Sequence, residues 1–318
     1  MNDLSKAAVS LVTVDEGGEG QRIDNFLAKQ LKGVPKSHLY RILRSGEVRV
    51  NSKRVDATHR LALGEVVRIP PVRTAAAAPK PASPVTSKFD GKVLFEDDVL
   101  LVIDKPAGIA VHGGSGISRG VIEQLRLGVG GGGIAPLVHR FARDHSGVLL
   151  LAKKRSTLVA LHEAIRGDAM EKRYLILVCG EWKDKKRRVR LPLKKYTLES
   201  GERRVSVDEE GQSSETIFHL RQSFGEFTLL EAELITGRTH QLRVQLAHLG
   251  FPIAGDDKYG DYGFNKALQK RGLKRMFLHS AETVIRHPLT GKELRLTAPL
   301  PKELAGFLNQ LEKHAKTL

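Results

Sequence analysis

A short run of polar side chains between two apolar segments has the residue types needed for catalysis. Segment 137–154 reads LVHRFARDHSGVLLLAKK. Its polar residues with possible chemical roles are His139, Arg140, Arg143, Asp144 and His145. Polar groups this dense between apolar runs that read as buried strands are typical of a functional site. Ala142 lies at the centre of the run and offers only a methyl group. The pattern predicts an active site and raises the question of what is missing from it.

The net charge of the whole chain indicates which kind of binding partner to expect. The 318 residues carry 52 Lys and Arg against 36 Asp and Glu, so the net charge is +16 with 41% hydrophobic residues. A positive surplus of this size in a chain of ordinary hydrophobicity favours a polyanionic partner, with nucleic acid as the main candidate. The alternative is a basic surface without any such partner.

The remaining bulk features indicate a cytoplasmic chain that does not enter a membrane. No apolar run approaches the ~18 residues of a membrane-spanning helix, and the first residues lack the order of a secretion signal. The single cysteine, Cys179, lies in the apolar run RYLILVCG. It cannot form an internal disulfide, which fits a reducing compartment, and a buried structural thiol is the expected role. We expect a monomer.

Composition divides the chain into two domains. Residues 71–88 read PVRTAAAAPKPASPVTSK and show no apolar period, which is typical of a linker. The prediction is therefore a small domain over 20–70, a linker over 71–90 and a large domain over 91–318.

The small domain reads as two short helices and a hairpin. Apolar residues recur at helical spacing in QRIDNFLAKQL and again in KSHLYRILR, and EVRV, NSK and EVVRIP follow as strand, turn and strand. Its outward residues are Arg22, Lys36, Ser37, Arg41, Arg44 and Arg49. Cations on one helix-turn face suit phosphate contacts, and the alternative is a solvated face. The segments QRIDNFL, KSHLYRILRSGEVRVN and LALGEVVRIP resemble the RNA-binding domain named after ribosomal protein S-four.

The large domain reads as strands in adjacent runs rather than in strict alternation with helices. VLLVIDKPAG, RYLILV, SETIFHLRQS, EFTLLEAELI, FLHSAETVIRH and KELRLTAP read as strands. VIEQLRL, STLVALHEAIR, RTHQLRVQLAHLG and KELAGFLNQLEKHA read as helices, the third of them amphipathic. GVGGGG at 128–133 is expected to be a flexible loop. The fold class predicted is α+β with a large, mostly antiparallel sheet.

Motifs for common cofactors are lacking in the sequence. The 12 histidines show no metal-ligand spacing. There is no phosphate-cradling Gly-Lys-Ser/Thr motif and no Gly-x-Ser-x-Gly elbow. We therefore expect neither a metal nor a cofactor.

Four segments of the large domain together resemble one family. They are FEDDVLLVIDKPAGIAVHGG, LVHRFARDHSGVLLLAKK, EKRYLILVCGEW and ELITGRTHQLRVQLAHLGFPIAGDDKYG. In this order they resemble the bacterial pseudouridine synthases that act on large-subunit ribosomal RNA. With the small domain included, the resemblance spans nearly the whole chain.

The resemblance implies an isomerisation of uridine in RNA. Uracil is detached from C1′ of its ribose, rotated and rejoined through C5, without cofactor or metal. The target nucleotide must leave the RNA stack to expose its glycosidic carbon. In this family an aspartate attacks or stabilises during detachment. The implied partner is therefore ribosomal RNA.

The resemblance also assigns roles to individual residues. Arg238, in TGRTHQ, would pair with the family's aspartate and keep it ionised. Tyr174 would stack on the base and stand near C5, where a proton must leave. Arg140 would hold the active-site turn and the RNA backbone. The alternatives are a surface arginine at a helix start for Arg238 and an ordinary strand aromatic for Tyr174.

The chain departs from the family pattern at the position of the family's aspartate. The family carries Leu-Asp after its His-Arg, and this chain carries Phe141 and Ala142. His145 stands where the family often has threonine. One explanation is a competent enzyme altered at one point; a second is a paralogue that binds RNA without catalysis, which the three clustered changes favour.

A third explanation is that Asp144 substitutes for the missing carboxylate. Two residues along an extended chain span about 7 Å, whereas attack geometry tolerates errors nearer 1 Å. We therefore disfavour it. The rival function is a non-catalytic RNA-binding or ribosome-assembly protein on the same scaffold. A DNA-binding regulator fits poorly, because no recognition helix for the major groove is evident.

Overall fold

The protein is described from a computed structural model. It describes residues 9–15, 18–31, 33–72, 91–111, 120–128, 138, 143–167 and 169–315. For residues 126–128 and 315 only the backbone is described. Most of the predicted linker and of the glycine-rich segment 128–133 lies outside the described residues, as do Arg140, Phe141 and Ala142.

The described residues form seven helices and thirteen strands. The helices are α1 (Ile23–Gln30), α2 (Lys36–Arg44), α3 (Val121–Gly128), α4 (Arg155–Arg166), α5 (Gln241–His248), α6 (Tyr262–Lys270) and α7 (Lys302–Ala315). The strands are β1 (Ser10–Thr13), β2 (Arg49–Val50), β3 (Val66–Ile69), β4 (Lys92–Glu96), β5 (Leu100–Lys105), β6 (Ser146–Ala152), β7 (Glu171–Cys179), β8 (Lys186–Thr197), β9 (Arg203–Val207), β10 (Gln212–Ser223), β11 (Phe227–Leu234), β12 (Leu278–Arg286) and β13 (Glu293–Thr297). They divide into two compact units, which are described separately: an N-terminal unit up to residue 87 that also takes in residues 154–156, and a C-terminal unit made of the remainder.

The N-terminal unit packs α1 and α2 onto a three-stranded sheet in the order β1-β3-β2. Phe26 and Leu27 of α1 and Leu39 and Ile42 of α2 are buried in its core, which follows from their helical spacing. Gly46 follows α2 in the left-handed region, where glycine has no steric cost. β1, which pairs antiparallel with β3, was not predicted from the sequence.

The C-terminal unit is built on a ten-stranded sheet. The order is β4-β5-β6-β12-β7-β11-β10-β8-β9, with β13 paired to β12. The pairs are antiparallel except β6 with β12, which is parallel. The prediction of an α+β fold with a large, mostly antiparallel sheet is confirmed.

The parallel contact between β6 and β12 depends on one glycine. Gly147 has φ +109°, and a Cβ there would overlap the backbone of Ser280. Glycine alone therefore lets the two strands approach at this point. The strand that begins here is buried at all seven positions, and it starts directly after the polar segment that predicts the site.

Helix α5 differs from its predicted amphipathic form. Every residue from Gln241 to Leu246 is buried. Leu242 and Leu246 lie in one hydrophobic core with strands of the sheet, whereas Val244 lies in a second core with β8 and β9. The helix is enclosed on opposite faces, so its polar residues must find partners inside the protein. The prediction of one solvated face was wrong for this reason.

Candidate active site

A buried lysine holds the backbone at Arg143, where the described part of the polar segment begins. Lys105 Nζ donates hydrogen bonds to the carbonyl oxygens of Pro106 at 2.8 Å, Ile109 at 2.8 Å and Arg143 at 3.2 Å. Arg143 Nε donates in turn to Gly108 O at 2.9 Å. Burial lowers the pKa of Lys105 to about 7, because desolvation disfavours the ammonium form. The turn after β5 and the residues before β6 are thereby tied together.

A second set of hydrogen bonds anchors the end of this segment. Ser146 Oγ lies 2.9 Å from His279 Nδ1 and accepts from Arg275 Nη2 at 2.9 Å. His279 Nε2 lies 3.1 Å from Ala298 O. Arg275 also donates from Nη1 to Asp144 O at 3.4 Å. Both ring nitrogens of His279 therefore lie within hydrogen-bonding distance of a partner.

His145 lies among positive charges. Its Nε2 atom is buried. Burial, followed by the charges of Arg243 and Lys105, lowers the pKa of His145 to about 3. His240 has φ 54° and its Nδ1 lies 2.8 Å from the Tyr259 hydroxyl, and burial lowers its pKa to about 4. Both imidazoles are neutral near pH 7.

Arg243 on α5 is the buried cation of this cluster. Its guanidinium bonds the Asp256 carboxylate at two points, with Nε–Oδ2 2.7 Å and Nη2–Oδ1 2.5 Å. Asp257 Oδ1 lies 3.2 Å from Arg243 Nη2, and the Asp257 side chain is exposed to solvent. Burial alone would raise the pKa of Asp256, but the bonds from Arg243 outweigh burial and lower it. The pair stays ionised.

Tyr174 lies on β7 and shares a hydrophobic core with α5. Its side chain is 8% exposed and packs in the same core as Leu242 and Leu246. Burial raises the pKa of Tyr174 to about 12, and the Ser280 side chain partly opposes that shift. Helix α5 thus links the neighbourhood of His145, through Arg243, to the face of β7 that carries Tyr174.

Arg238 does not lie in this buried cluster. Its side chain is exposed. Its Nε donates to Ser213 O at 3.1 Å, and its backbone N–H donates to Gln241 Oε1 at 3.0 Å. The loop before α5 turns the Arg238 side chain to solvent, and because position 142 lies outside the described residues, the pairing of Arg238 with the family's aspartate stays a prediction. The geometry agrees with the alternative of a surface arginine at a helix start.

Of the remaining residues predicted for the active site, Asp144 alone is among the described residues. Ala142 and Arg140 lie outside the described residues, so their roles stay predictions. Asp144 is described: its backbone oxygen accepts a hydrogen bond from Arg275 Nη1 at 3.4 Å, and its charge opposes the lowering of the pKa values of Lys105 and Arg275 by burial.

The predicted RNA-binding residues of the N-terminal unit fall into two groups. Lys36, Ser37, Arg41 and Arg44 are exposed on α2. Arg22 differs, because its Nη2 lies 2.7 Å from Asp24 Oδ2 in an ion pair. The α2 cations are therefore better placed for phosphate than Arg22 is.

Sequence reasoning missed the Arg243–Asp256 pair and the Lys105 clamp. The signal for Arg243 was a charged residue among Leu242, Val244 and Leu246, in a helix without a polar face. Because buried charges need partners, a carboxylate near Arg243 could have been expected from the sequence.

Among the described residues there is no group of three or more His, Cys, Asp or Glu that could hold a metal ion. No described helix is long and apolar enough to cross a membrane.

Comparison with known proteins identifies the class to which this fold belongs, a class of RNA-modifying proteins. The family model for RNA pseudouridylate synthases matches residues 99–248, and the S4 domain model matches residues 21–67. The chain is 50% identical over 310 residues to a ribosomal large subunit pseudouridine synthase C from Yersinia pestis, covering 96% of this chain and 97% of that one. The chain belongs to the pseudouridine synthase family.

Further relatives have the same printed name. The protein from Escherichia coli strain K12 is 49% identical over 309 residues, which cover 96% of this chain and 97% of that one. Among solved structures, human RNA pseudouridylate synthase domain containing 4 superposes with a TM-score of 0.56 at 25% identity, covering 69% of this chain and 92% of that one. Human RNA pseudouridylate synthase domain containing 1 gives a TM-score of 0.58 at 20% identity, covering 74% and 98%, and supports the fold.

Proposed function

We propose that this chain binds bacterial large-subunit (23S) ribosomal RNA and presents uridine to a pseudouridine synthase site. The observation that carries the proposal is the 50% identity over 96% of the chain to a large-subunit synthase. The net charge of +16 and the exposed cations of α2 support an RNA partner. We propose that the chain acts as a monomer in the cytoplasm, where its RNA is found.

Within this proposal, the site lies between β7, α5 and the start of β6. Tyr174 keeps its proton near pH 7, because burial raises its pKa to about 12, and in this proposal its ring stacks on the base. Arg243, rather than Arg238, is the guanidinium beside the polar segment, because it alone of the two is buried and acts on His145. Arg140 contacts the RNA backbone next to the site.

In this proposal, the residue at position 142 determines the rate of uridine isomerisation. The family's aspartate falls on Ala142, so the nucleophilic or stabilising oxygen is missing. Removing such a group costs on the order of 10⁴–10⁶ in rate in enzymes of other classes, and we expect comparable damage here. In this proposal Asp144 does not substitute, since it lies two residues further along the chain, a span of about 7 Å if the chain is extended.

Ala142 also favours a second candidate function. A chain that keeps its RNA-binding surfaces and lacks the carboxylate can serve as a non-catalytic RNA-binding or ribosome-assembly protein. Phe141 and His145 depart from the family pattern beside Ala142. Three clustered changes are more typical of an altered site than of one isolated loss.

Tritium release from 5-tritiated uridine in unmodified large-subunit rRNA separates the two functions. We compare the chain as it stands with Ala142→Asp, and use Ala142→Asn as a control of similar size without the charge. The synthase proposal expects release with Ala142→Asp and little with Ala142→Asn or the parent chain. Normal turnover by the parent chain would contradict the assignment of position 142.

Binding of the same RNA completes the test. If Ala142→Asp binds RNA but releases no tritium, the non-catalytic function replaces the synthase function. If neither protein binds large-subunit rRNA, both proposals fail.

A further inference from the structure

A groove on the C-terminal unit lies outside the buried cluster. It has a volume of about 450 Å³ and is bounded by the β8–β9 hairpin, the turn before β10 and the loop before α5. The residues that set its chemistry are Lys194, Lys195, Glu210, Gly237, Arg238 and Thr239. None of the roles described above uses this groove.

The groove carries two positive charges that are not neutralised locally. Lys194 Nζ lies 2.5 Å from Glu210 Oε2 and 3.5 Å from Asp208 Oδ2, so the acidic side of the groove is already paired. Lys195 and Arg238 are exposed, and neither has an ion pair with any described residue. A concave surface with unpaired cations attracts an anion.

The backbone and one hydrogen bond fix the shape of the groove. A Cβ at Gly211 would lie 2.6 Å from the backbone nitrogen of Leu193, so only glycine allows the turn before β10 to approach β8 this closely. The bond from Arg238 Nε to Ser213 O holds the guanidinium in place. The terminal nitrogens of Arg238 make no hydrogen bond with described residues, and they are the ones available to a ligand.

Gly237, which lines the groove, lies near the strand that carries Tyr174. A Cβ at Gly237 would lie 3.7 Å from Lys172 Nζ. Lys172 lies two residues before Tyr174, so both side chains are on the same face of the strand. At the other end of the loop, His240 acts on the pKa of His145. The loop 237–240 therefore borders both the groove and the site.

We propose that this groove holds the sugar-phosphate backbone of the RNA strand beside the target uridine, with Lys195 and Arg238 contacting phosphate. The inference rests on the proposed function. A uridine that leaves the stack to reach Tyr174 draws its flanking backbone to the rim of the site. Exposed cations at that rim suit phosphate oxygens, which fix the position of the strand without reading its sequence. Arg238 is thus a substrate-binding residue.

The test compares two variants that remove equal charge. Lys195→Gln with Arg238→Gln removes the two unpaired groove cations, and Arg286→Gln with Lys292→Gln removes two exposed cations, one at the end of β12 and one just before β13. Binding of unmodified large-subunit rRNA transcript is measured between about 50 mM and 200 mM salt. The groove variant should bind more weakly and lose about 0.7 of the slope of log K against log salt for each phosphate contact removed.

The outcomes separate this inference from the proposed function. Equal slopes for the groove variant and the parent chain, or equal losses in both variants, would overturn the inference. Failure of the parent chain to bind the transcript would refute the proposed function instead. If the groove variant unfolds at a lower temperature than the parent, Lys195→Gln alone is used, since no described hydrogen bond depends on that side chain, and its slope should fall by about 0.7.

Discussion

Arg243 and Asp256 form a buried two-point ion pair, with Nε–Oδ2 2.7 Å and Nη2–Oδ1 2.5 Å, beside the segment that ends at Ser146. Their side chains are 6% and 1% exposed. Asp256 also accepts backbone N–H bonds from Lys258 and Tyr259, each at 2.9 Å. The Arg243 guanidinium therefore has a buried carboxylate partner that does not come from position 142.

Replacing Asp256 with alanine should lower the free energy of unfolding by about 3–5 kcal/mol, because it leaves a buried guanidinium without its partner. Urea unfolding of the purified chain measures the change. Asp257→Asn is the matched control: its side chain is 84% exposed, and a surface change of this kind should stay within about 0.5 kcal/mol. If both variants lowered the free energy of unfolding by a similar amount, the buried ion pair would not stabilise the fold more than the exposed charge does.

Acid should destabilise the protein through His145 and His240. Their pKa values are about 3 and about 4 in the folded chain, against an ordinary value near 6.5. The unfolded chain therefore binds more protons than the folded one as pH falls from about 6.5 towards 4. The free energy of unfolding should fall with pH across that window and be retained above it.

The variant His145→Thr tests the contribution of one of these imidazoles. It restores the residue that the family often has, and it should reduce the slope of unfolding free energy against pH by up to about 1.4 kcal/mol per pH unit. Urea unfolding at several pH values between about 7 and 5 gives the slope. An unchanged slope would mean that His145 titrates alike in the folded and unfolded chains.

The two groups of cations in the N-terminal unit should differ in their effect on RNA binding. Arg41→Gln with Arg44→Gln removes exposed charge from α2 and should lower the affinity for rRNA and the salt slope by about 0.7 per lost contact. Arg22→Gln removes a charge already paired with Asp24, so its effect should be smaller. Filter binding over a salt series measures both. A larger loss with Arg22→Gln would contradict the assignment of α2 as the contact surface.

Much of the fold could be predicted from apolar spacing. Ile23, Phe26 and Leu27 recur at helical intervals and are buried in α1, and the apolar run 146–152 is β6. The β8–β9 hairpin could not be predicted in the same way. β8 contains Pro192 and a dense run of Lys and Arg, and β9 lies at the edge of the sheet, where charged strands are common.

The sequence by itself determined the family, the two-unit organisation into which its motifs fall, and the presence of alanine at position 142. These depend on residue types in order along the chain. Only the tertiary structure decided which of two arginines in one quoted segment lies inside. Arg238 and Arg243 are five residues apart, but α5 is enclosed by cores on opposite faces, so Arg243 is buried against Asp256 while Arg238, before the helix, faces solvent. Burial depends on what packs around a residue, and that information is not local to its segment.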